Sequence, residues 1–423
     1  MDVLLQAHHN SINKSPLFTI TGSKSESNRL LILQALFPEL EISNLSNSDD
    51  TVHMQQALAS LETTINIGHA GTAMRFLTAY VARKDHGEVI LTGSERMQER
   101  PIGILVDALR SIGAQINYVD KEGYPPLYIK GGHINGSSLK IDATVSSQYI
   151  TALMLIAPSL KNGLEIELLG KLTSRPYLEM TAKQLESIGV DVLWNSKTLE
   201  TADSKSQFIK IKPLKSAITK ALVVESDWSS AGYWYSWVAL QQVGYELTLQ
   251  HYFLKTLQGD HKLKDYYEAF GVQTKFEKGK LILKKISDKL AQRVVMNLVN
   301  EPDQAQTIFA TCLALGVNAY LTGLHTLRIK ETDRLEAMKE VGLRFRESEI
   351  TTTHDSITLS CEPLKTHDHA VVIDTYNDHR MAMAFAPLSC KTPLIIKDAL
   401  VVSKSYPTFW EDLKRLNINI TEI

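Results

Sequence analysis

The chain has 423 residues, more than one hydrophobic core usually serves, so two domains of about 200 residues each are expected. Its composition is that of an ordinary soluble globular protein, 44% hydrophobic and 22% charged. The net charge of −2 argues against a nucleic-acid or membrane binder that relies on bulk charge, though not against a pocket for small anions. Cys312, Cys361 and Cys390 form no CxxC, which speaks against a disulfide framework or zinc ribbon and fits a reducing compartment. Met1-Asp2-Val3 does not lead from a basic stretch into a long apolar one, and no run of about 18 uncharged apolar residues occurs. A cytoplasmic chain without signal peptide or membrane span is expected.

In chain order, the first chemical motif is Gly22-Ser23-Lys24-Ser25-Glu26-Ser27-Asn28-Arg29, followed by the apolar run Leu30 to Leu36. Ser23 or Ser25 can cap the helix, and a helix start with free N–H groups suits an anion. Lys24 and Arg29 add cations, and the GxxxxGK[ST] spacing of a P-loop is missing. Next, Gly68-His69-Ala70-Gly71-Thr72-Ala73-Met74-Arg75 opens an apolar helix to Ala82, with small residues that let a ligand approach the backbone. Glu99-Arg100-Pro101-Ile102 is expected to open a helix to Arg110, with Pro101 at its first position. Ser146-Ser147-Gln148-Tyr149 and Ser174-Arg175-Pro176-Tyr177 read as two more polar helix starts. Each of these, taken singly, also reads as an ordinary cap.

The second half supplies complementary groups. Glu301-Pro302-Asp303 lies between the strand-like Val294-Val295-Met296 and a helix from Gln306. Arg328-Ile329-Lys330-Glu331-Thr332-Asp333-Arg334 is expected to end a strand, with Arg328 and Lys330 on one face, and to start a helix, with Glu331 and Arg334 three apart on one side. That last pair reads equally as a structural ion pair. Asn377-Asp378-His379-Arg380 precedes the helix Met381 to Ala386, and Ser403-Lys404-Ser405-Tyr406-Pro407 closes the series. His367-Asp368-His369 reads as a solvated loop rather than a metal site.

A helix–turn–strand pattern recurs along the chain. Clear copies are Ala108–Ala114, Gln184–Val190, Tyr267–Val272 and Met338–Leu343, with Gly113, Gly189, Gly271 and Gly342 expected just past each helix. Weaker copies are Ala57–Leu61 and Asp412–Leu416. Six units at a period of roughly 70 residues suggest two domains of three α/β modules. The expected division is residues 22–228 as one domain, and 1–21 with 229–423 as the other.

Taken together, the motifs resemble the EPSP synthases. The set is GSKSxSNR, the Gly-Thr-Ala-Met-Arg helix start, ERPIG, SSQY, SRPY, the aspartate of EPD, RxKETDR and NDHRMAM, in that order from about Gly22 to Pro407. The resemblance implies the two-domain α/β enolpyruvyl transferase fold, with three βαβαββ units per domain and helices packed inside the sheets. Helix starts then converge on an interdomain cleft that closes over substrate. It further implies transfer of the enolpyruvyl group of phosphoenolpyruvate to the 5-hydroxyl of shikimate 3-phosphate by a monomer, with no cofactor, metal, nucleic acid or membrane.

By that resemblance, shikimate 3-phosphate is held by Lys24, Ser25, Arg29, Ser146, Ser147, Gln148, Ser174, Asp303, Thr326 and Lys330. Phosphoenolpyruvate is held by Lys24, Gly71, Arg100, Gln148, Arg334, Arg380 and Lys404. The two substrates bring about five negative charges at neutral pH, which suits seven named cations. Asp303 is the expected base and Glu331 the expected acid, with Lys24 able to share proton transfer. The chain departs from the pattern at His69, where the family usually has Asn, at Phe76, usually Pro or Leu, and at Thr326, often Asn. In the resembling enzymes glyphosate binds at the phosphoenolpyruvate site, and glycine at position 71 goes with sensitivity. Two other readings stay open. One is a UDP-N-acetylglucosamine enolpyruvyl transferase, but that family has a Lys-Asn pair where this chain has Lys24-Ser25, and a loop cysteine that is absent between Arg83 and Arg100. The other is a non-catalytic anion-binding relative.

Overall fold

The computed structural model describes residues 1–7, 15–59, 62–85, 87–170, 172–195, 207–219, 221–345, 348–365 and 369–423. Ser60-Leu61 of one weak repeat and His367-Asp368 lie outside the described residues. The chain forms two compact units, one of Met1–Thr21 with Glu225–Ile423, the other of Gly22–Val224.

The first unit repeats one module three times. The strand Arg293–Asn297 leads through the helix Ala305–Leu315 to the parallel strand Asn318–Thr322. The helix Arg334–Gly342 and the antiparallel hairpin Ser348–Thr352 and Ser356–Cys361 follow. The same order, βαβαββ, runs from Leu17–Thr19 to Lys280–Lys285. It recurs from Val371–Ile373 to Ile418–Glu422, where the N-terminal strand Val3–Ala7 completes the sheet. In the second unit the module is complete from Thr64–Asn66 to Leu127–Lys130 and from Ser138–Asp142 to Gln207–Ile211. The third copy is reduced. Among the described residues it supplies only the parallel pair Ala221–Val223 and Glu41–Ser43, with the helices Lys24–Leu36 and Asp49–Ala59.

Each module has one helix inside and one outside, and the sequence dictates which. Helices that are apolar or small on every side must be enclosed. Ser147–Ile156, Gly71–Arg83, Trp228–Ala239, Ala305–Leu315 and His379–Phe385 are buried along nearly their whole length. Amphipathic helices such as Gly103–Ser111 and Arg175–Ser187 bury one face only. In each unit the three inner helices touch one another, Lys24–Leu36, Gly71–Arg83 and Ser147–Ile156 in one, Trp228–Ala239, Ala305–Leu315 and His379–Phe385 in the other. The motifs at Gly22–Arg29, Gly68–Arg75, Ser146–Tyr149, Glu301–Asp303 and Asn377–Arg380 sit at the starts of inner helices, while those at Glu99–Ile102, Ser174–Tyr177 and Arg328–Arg334 lead into outer ones.

Local expectations failed in four places. Pro101 is not the first helical residue: the helix is Gly103–Ser111, capped by Ile102, after a separate short helix Glu95–Gln98. Arg328 does not lie on a strand but in the 3-10 turn His325–Ile329, so the two-residue face with Lys330 does not exist. Glu331 precedes the helix, whose cap is Asp333. Gly342 is the last helical residue rather than a left-handed residue past the end, whereas Gly113, Gly189 and Gly271 do have positive φ.

Candidate functional site

In the unit Gly22–Val224 the motifs form two interlocked groups. Ser23 caps the helix Lys24–Leu36 by accepting from the Glu26 N–H at 3.4 Å, which leaves Ser25 inside the first turn. Lys24 reaches the buried Asp50 at 3.4 Å. Arg29 is only 3% exposed. It donates from Nε to Thr181 Oγ1 at 2.9 Å and from Nη1 to the Ser25 carbonyl at 2.6 Å. A further donation runs to the Tyr177 carbonyl at 3.5 Å. Burial lowers its pKa to about 10, which leaves it charged. The first motif is thereby tied to the helix that Ser174 opens. Ser174 itself sits in the left-handed region at φ 52° with no cap bond from its side chain, a strained backbone for a serine.

The second group joins three motifs. Gln148 Nε2 donates to Thr72 Oγ1 at 3.3 Å, so the starts of Gly71–Arg83 and Ser147–Ile156 are neighbours. Ser146 caps the second of these by accepting from the Gln148 N–H, and Ser147 is its first residue. Tyr149 OH and Arg75 Nη2 both donate to the Pro101 carbonyl, at 2.6 and 2.9 Å, and so fix the Glu99–Ile102 turn. Arg100 lies against Gly71: a Cβ built there would stand 2.5 Å from Arg100 Nη1. Arg100 Nε is buried with no hydrogen-bond partner among the described residues. Phe76 is buried in the core beneath Arg29, whose Cζ is 5.5 Å from its ring centre. His69 stands edge-on to His53 at 6.0 Å.

In the other unit, four of the expected cations meet three carboxylates. Arg334, 2% exposed, is the hub. Its Nε donates to Asp378 Oδ2 at 2.6 Å, Nη1 to Asp303 Oδ1 at 2.9 Å and Nη2 to Glu331 Oε2 at 2.9 Å. Arg380 Nη2 donates to Asp303 Oδ2 at 2.9 Å, Lys330 Nζ is 3.9 Å from Asp303, and Lys404 Nζ is 2.9 Å from Glu331. Burial pushes the Asp303 pKa up, but Arg380, Lys330 and Arg334 together outweigh it and hold the carboxyl far below the usual range. Burial also works against the charge of Arg334, and Asp378, Glu331 and Asp303 overcome it and raise its pKa. Thr326 lies in the 3-10 turn His325–Ile329, its Oγ1 buried with no partner among the described residues. Arg328 pairs with Asp333 and Glu336 instead.

Sequence reasoning missed Asp50 and Asp378. The helix expected from Met381 begins at His379, and Asp378 caps it by accepting from the Arg380 N–H at 2.9 Å. Nothing local announced that its carboxylate also takes Arg334, 44 positions away. Among the described residues no cluster of three or more His, Cys, Asp or Glu could hold a metal ion, and no helix is long and apolar enough to cross a membrane. What the geometry offers is anion binding by cations and helix starts, with two carboxylates, Asp303 and Glu331, held among exchangeable cations.

Comparison with known proteins agrees with this chemistry. A family model described as EPSP synthase (3-phosphoshikimate 1-carboxyvinyltransferase) matches residues 59–413. A 3-phosphoshikimate 1-carboxyvinyltransferase of Bacteroides fragilis is 43% identical over 409 residues, covering 95% of each chain. One from Haemophilus influenzae is 36% identical over 428 residues, covering 94% of this chain and 95% of that one. A solved structure of EPSP synthase from Acinetobacter baumannii superposes with a TM-score of 0.77 over the whole of both chains at 20% identity, which speaks to the fold.

Proposed function

This chain belongs to the EPSP synthase family, and we propose how its residues carry out that family's reaction. The enzyme is a 3-phosphoshikimate 1-carboxyvinyltransferase. It moves the enolpyruvyl group of phosphoenolpyruvate to the 5-hydroxyl of shikimate 3-phosphate, within aromatic amino acid biosynthesis. The hydroxyl oxygen attacks C2 of phosphoenolpyruvate as its own proton leaves, and C3 takes up a proton. The resulting tetrahedral ketal then loses a proton from C3 as the C2–O bond to phosphate breaks.

In our reading, the residues that the family resemblance names serve the two substrates. Lys24, Ser25, Arg29, Ser146, Ser147, Gln148, Ser174, Asp303, Thr326 and Lys330 serve shikimate 3-phosphate. Lys24, Gly71, Arg100, Gln148, Arg334, Arg380 and Lys404 serve phosphoenolpyruvate. The observation that carries this is the ion-pair lattice around Asp303, Arg334 and Glu331. A substrate phosphate or carboxylate can replace the protein's own carboxylates on Arg380, Lys330 and Lys404 by charge-assisted bonds. Asp303 and Glu331 then lose the neighbours that hold their charge, and each gains affinity for a proton. Asp303 can therefore act as the base toward the hydroxyl, and Glu331 as the acid toward C3, with Lys24 sharing the transfer. Arg29 supports the site from behind its bonds to Thr181 and the Ser25 carbonyl. The unpartnered Arg100 Nε and Thr326 Oγ1 favour ligand roles for these two.

The free cysteines fit a reducing, cytoplasmic compartment, and the monomeric state rests on the family resemblance alone. Phosphate release measured with both substrates tests the reading. Release well above either single-substrate control is expected. No release above those controls would remove the assignment.

A further inference from the structure

Behind Asp303 and Arg380 lies a carboxylate that the reaction as described does not use. Asp260 sits in the 3-10 turn Gly259–Lys262, 5% exposed. Its Oδ2 accepts a hydrogen bond from Ser229 Oγ and a second from Gln304 Nε2 at 2.7 Å. Both donors belong to the frame of the site. Ser229 stands in the first turn of the inner helix Trp228–Ala239, and its Oγ is 3.5 Å from Arg380 Nη2. Gln304 follows Asp303 directly and ends the 3-10 turn Pro302–Gln304 that carries it. Gly232 leaves the space for Gln304, since a Cβ there would stand 2.5 Å from Gln304 Oε1.

The arrangement is directional. A serine hydroxyl has one proton, and here Asp260 takes it, which leaves the Ser229 lone pairs for Arg380. Asp260 is not needed as a helix cap, because Asp227 already accepts from the Ser230 N–H at 2.7 Å. Nor is a charge required for packing, since a neutral residue would fill the space without the desolvation penalty of a buried carboxylate. Burial, and then the charge of Asp303, raise its pKa to about 6 against the opposing pull of Ser229, Arg380 and Gln304. At neutral pH it is therefore still an anion.

We propose that Asp260 is a positioning residue for phosphoenolpyruvate, holding Arg380 through Ser229 and Asp303 through Gln304 in the geometry that receives the substrate's anionic group. The proposal rests on the reading above that Arg380 and Asp303 act on substrate.

Steady-state kinetics of the full-length enzyme, with phosphoenolpyruvate varied at saturating shikimate 3-phosphate, test it. Asp260→Asn should raise KM for phosphoenolpyruvate about tenfold while changing kcat much less. Ser229→Ala should act in the same direction. The double variant should be no worse than the worse single one, because the two residues act along one path. Arg380→Ala separates the two levels of the argument. An unchanged KM in that variant overturns the assignment of Arg380 to phosphoenolpyruvate, and the positioning role with it. A raised KM there, with Asp260→Asn and Ser229→Ala both unchanged, overturns the positioning role alone. Additive losses in the double variant, with Tm falling in step, also overturn it and leave Asp260 a packing residue. Should Asp260→Asn fail to fold, Ser229→Ala decides the matter, an unchanged KM counting against the proposal.

Discussion

Gly71→Ala should weaken inhibition by glyphosate at least about tenfold, and the geometry around Gly71 sets that magnitude. A Cβ on this residue would stand 2.5 Å from Arg100 Nη1, 3.0 Å from Cζ and 3.1 Å from Nη2. Ordinary contact begins at 3.4 Å, so the guanidinium must retreat by about 0.9 Å. A charge-assisted bond of about 2.7–2.9 Å stretched by that much is no longer a direct bond. Such bonds contribute about 1.5–3 kcal/mol net, and tenfold needs only about 1.4 kcal/mol. Phe76 does not set the space, because the three atoms nearest the added methyl all belong to Arg100, while the Phe76 ring lies in the core beneath Arg29. Phosphoenolpyruvate loses the same contact, so its KM should rise as well. The assay is the glyphosate inhibition constant of wild type and variant at several phosphoenolpyruvate concentrations. A competitive pattern in both is expected. A wild type that is already insensitive, or a variant with both constants unchanged, would refute the argument from Arg100.

Three further outcomes are expected. Asp303→Ala should lower kcat by about 10²–10⁴ with shikimate 3-phosphate still bound in a calorimetric titration; more than half the wild-type kcat would end its role as base. Asp378→Ala should destabilise the protein by about 3 kcal/mol or more, since it removes a partner of the buried Arg334; a urea-unfolding difference below about 1 kcal/mol would contradict this. Asp260, with its pKa raised from 3.8 to about 6, binds more protons folded than unfolded between those values, so its contribution to stability falls as pH rises through that window. The stability of Asp260→Asn relative to wild type should therefore rise by up to about 3 kcal/mol from pH 4 to pH 7, and a flat difference would show that Asp260 is not perturbed.

Where one turn of chain decides the structure, the sequence was readable. Ser23 and Ser146 cap the helices they precede, and Gly113, Gly189 and Gly271 take the positive φ that only glycine adopts without strain. The near-continuous apolar and small residues of Ser147–Ile156 and His379–Phe385 fit their enclosed positions. Prolines and charged runs misled. Pro101 looked like a first helical residue, yet the chain turns once more before Gly103. Arg328 and Lys330 alternate as a strand would, but the helical turn at His325–Ile329 separates them, and Arg328 faces Asp333 and Glu336. Least readable were the partners of the cations. Spacing rules cover neighbours three or four apart and named Glu331 with Arg334, which do pair, though Glu331 reaches across from before the helix and not along its face. They are silent on Lys24 with Asp50 and on Arg334 with Asp378, because those pairs form only when separate modules pack.

That silence matters for the chemistry. Seen as a sequence, the second half offered a row of free cations waiting for anions. In the fold, Lys330, Arg334, Arg380 and Lys404 are already matched to Asp303, Glu331 and Asp378. Four like charges gathered without counter-ions would repel one another and destabilise the unit. The carboxylates remove that repulsion. On the proposed reading, substrate binding is then an exchange of anions rather than the capture of one by bare cations. An opposite charge within about 4–6 Å lowers a carboxyl pKa by about 1–3 units, so each cation drawn onto substrate returns part of that shift to Asp303 or Glu331. Arg334 is the exception, since Asp378 keeps hold of it from a fully buried position. Its Nε thus stays anchored on Asp378 while, on that reading, the other bonds of the lattice exchange onto substrate. On the reading proposed above, Asp303 and Glu331 gain proton affinity when substrate is present and are held as inert carboxylates when it is not.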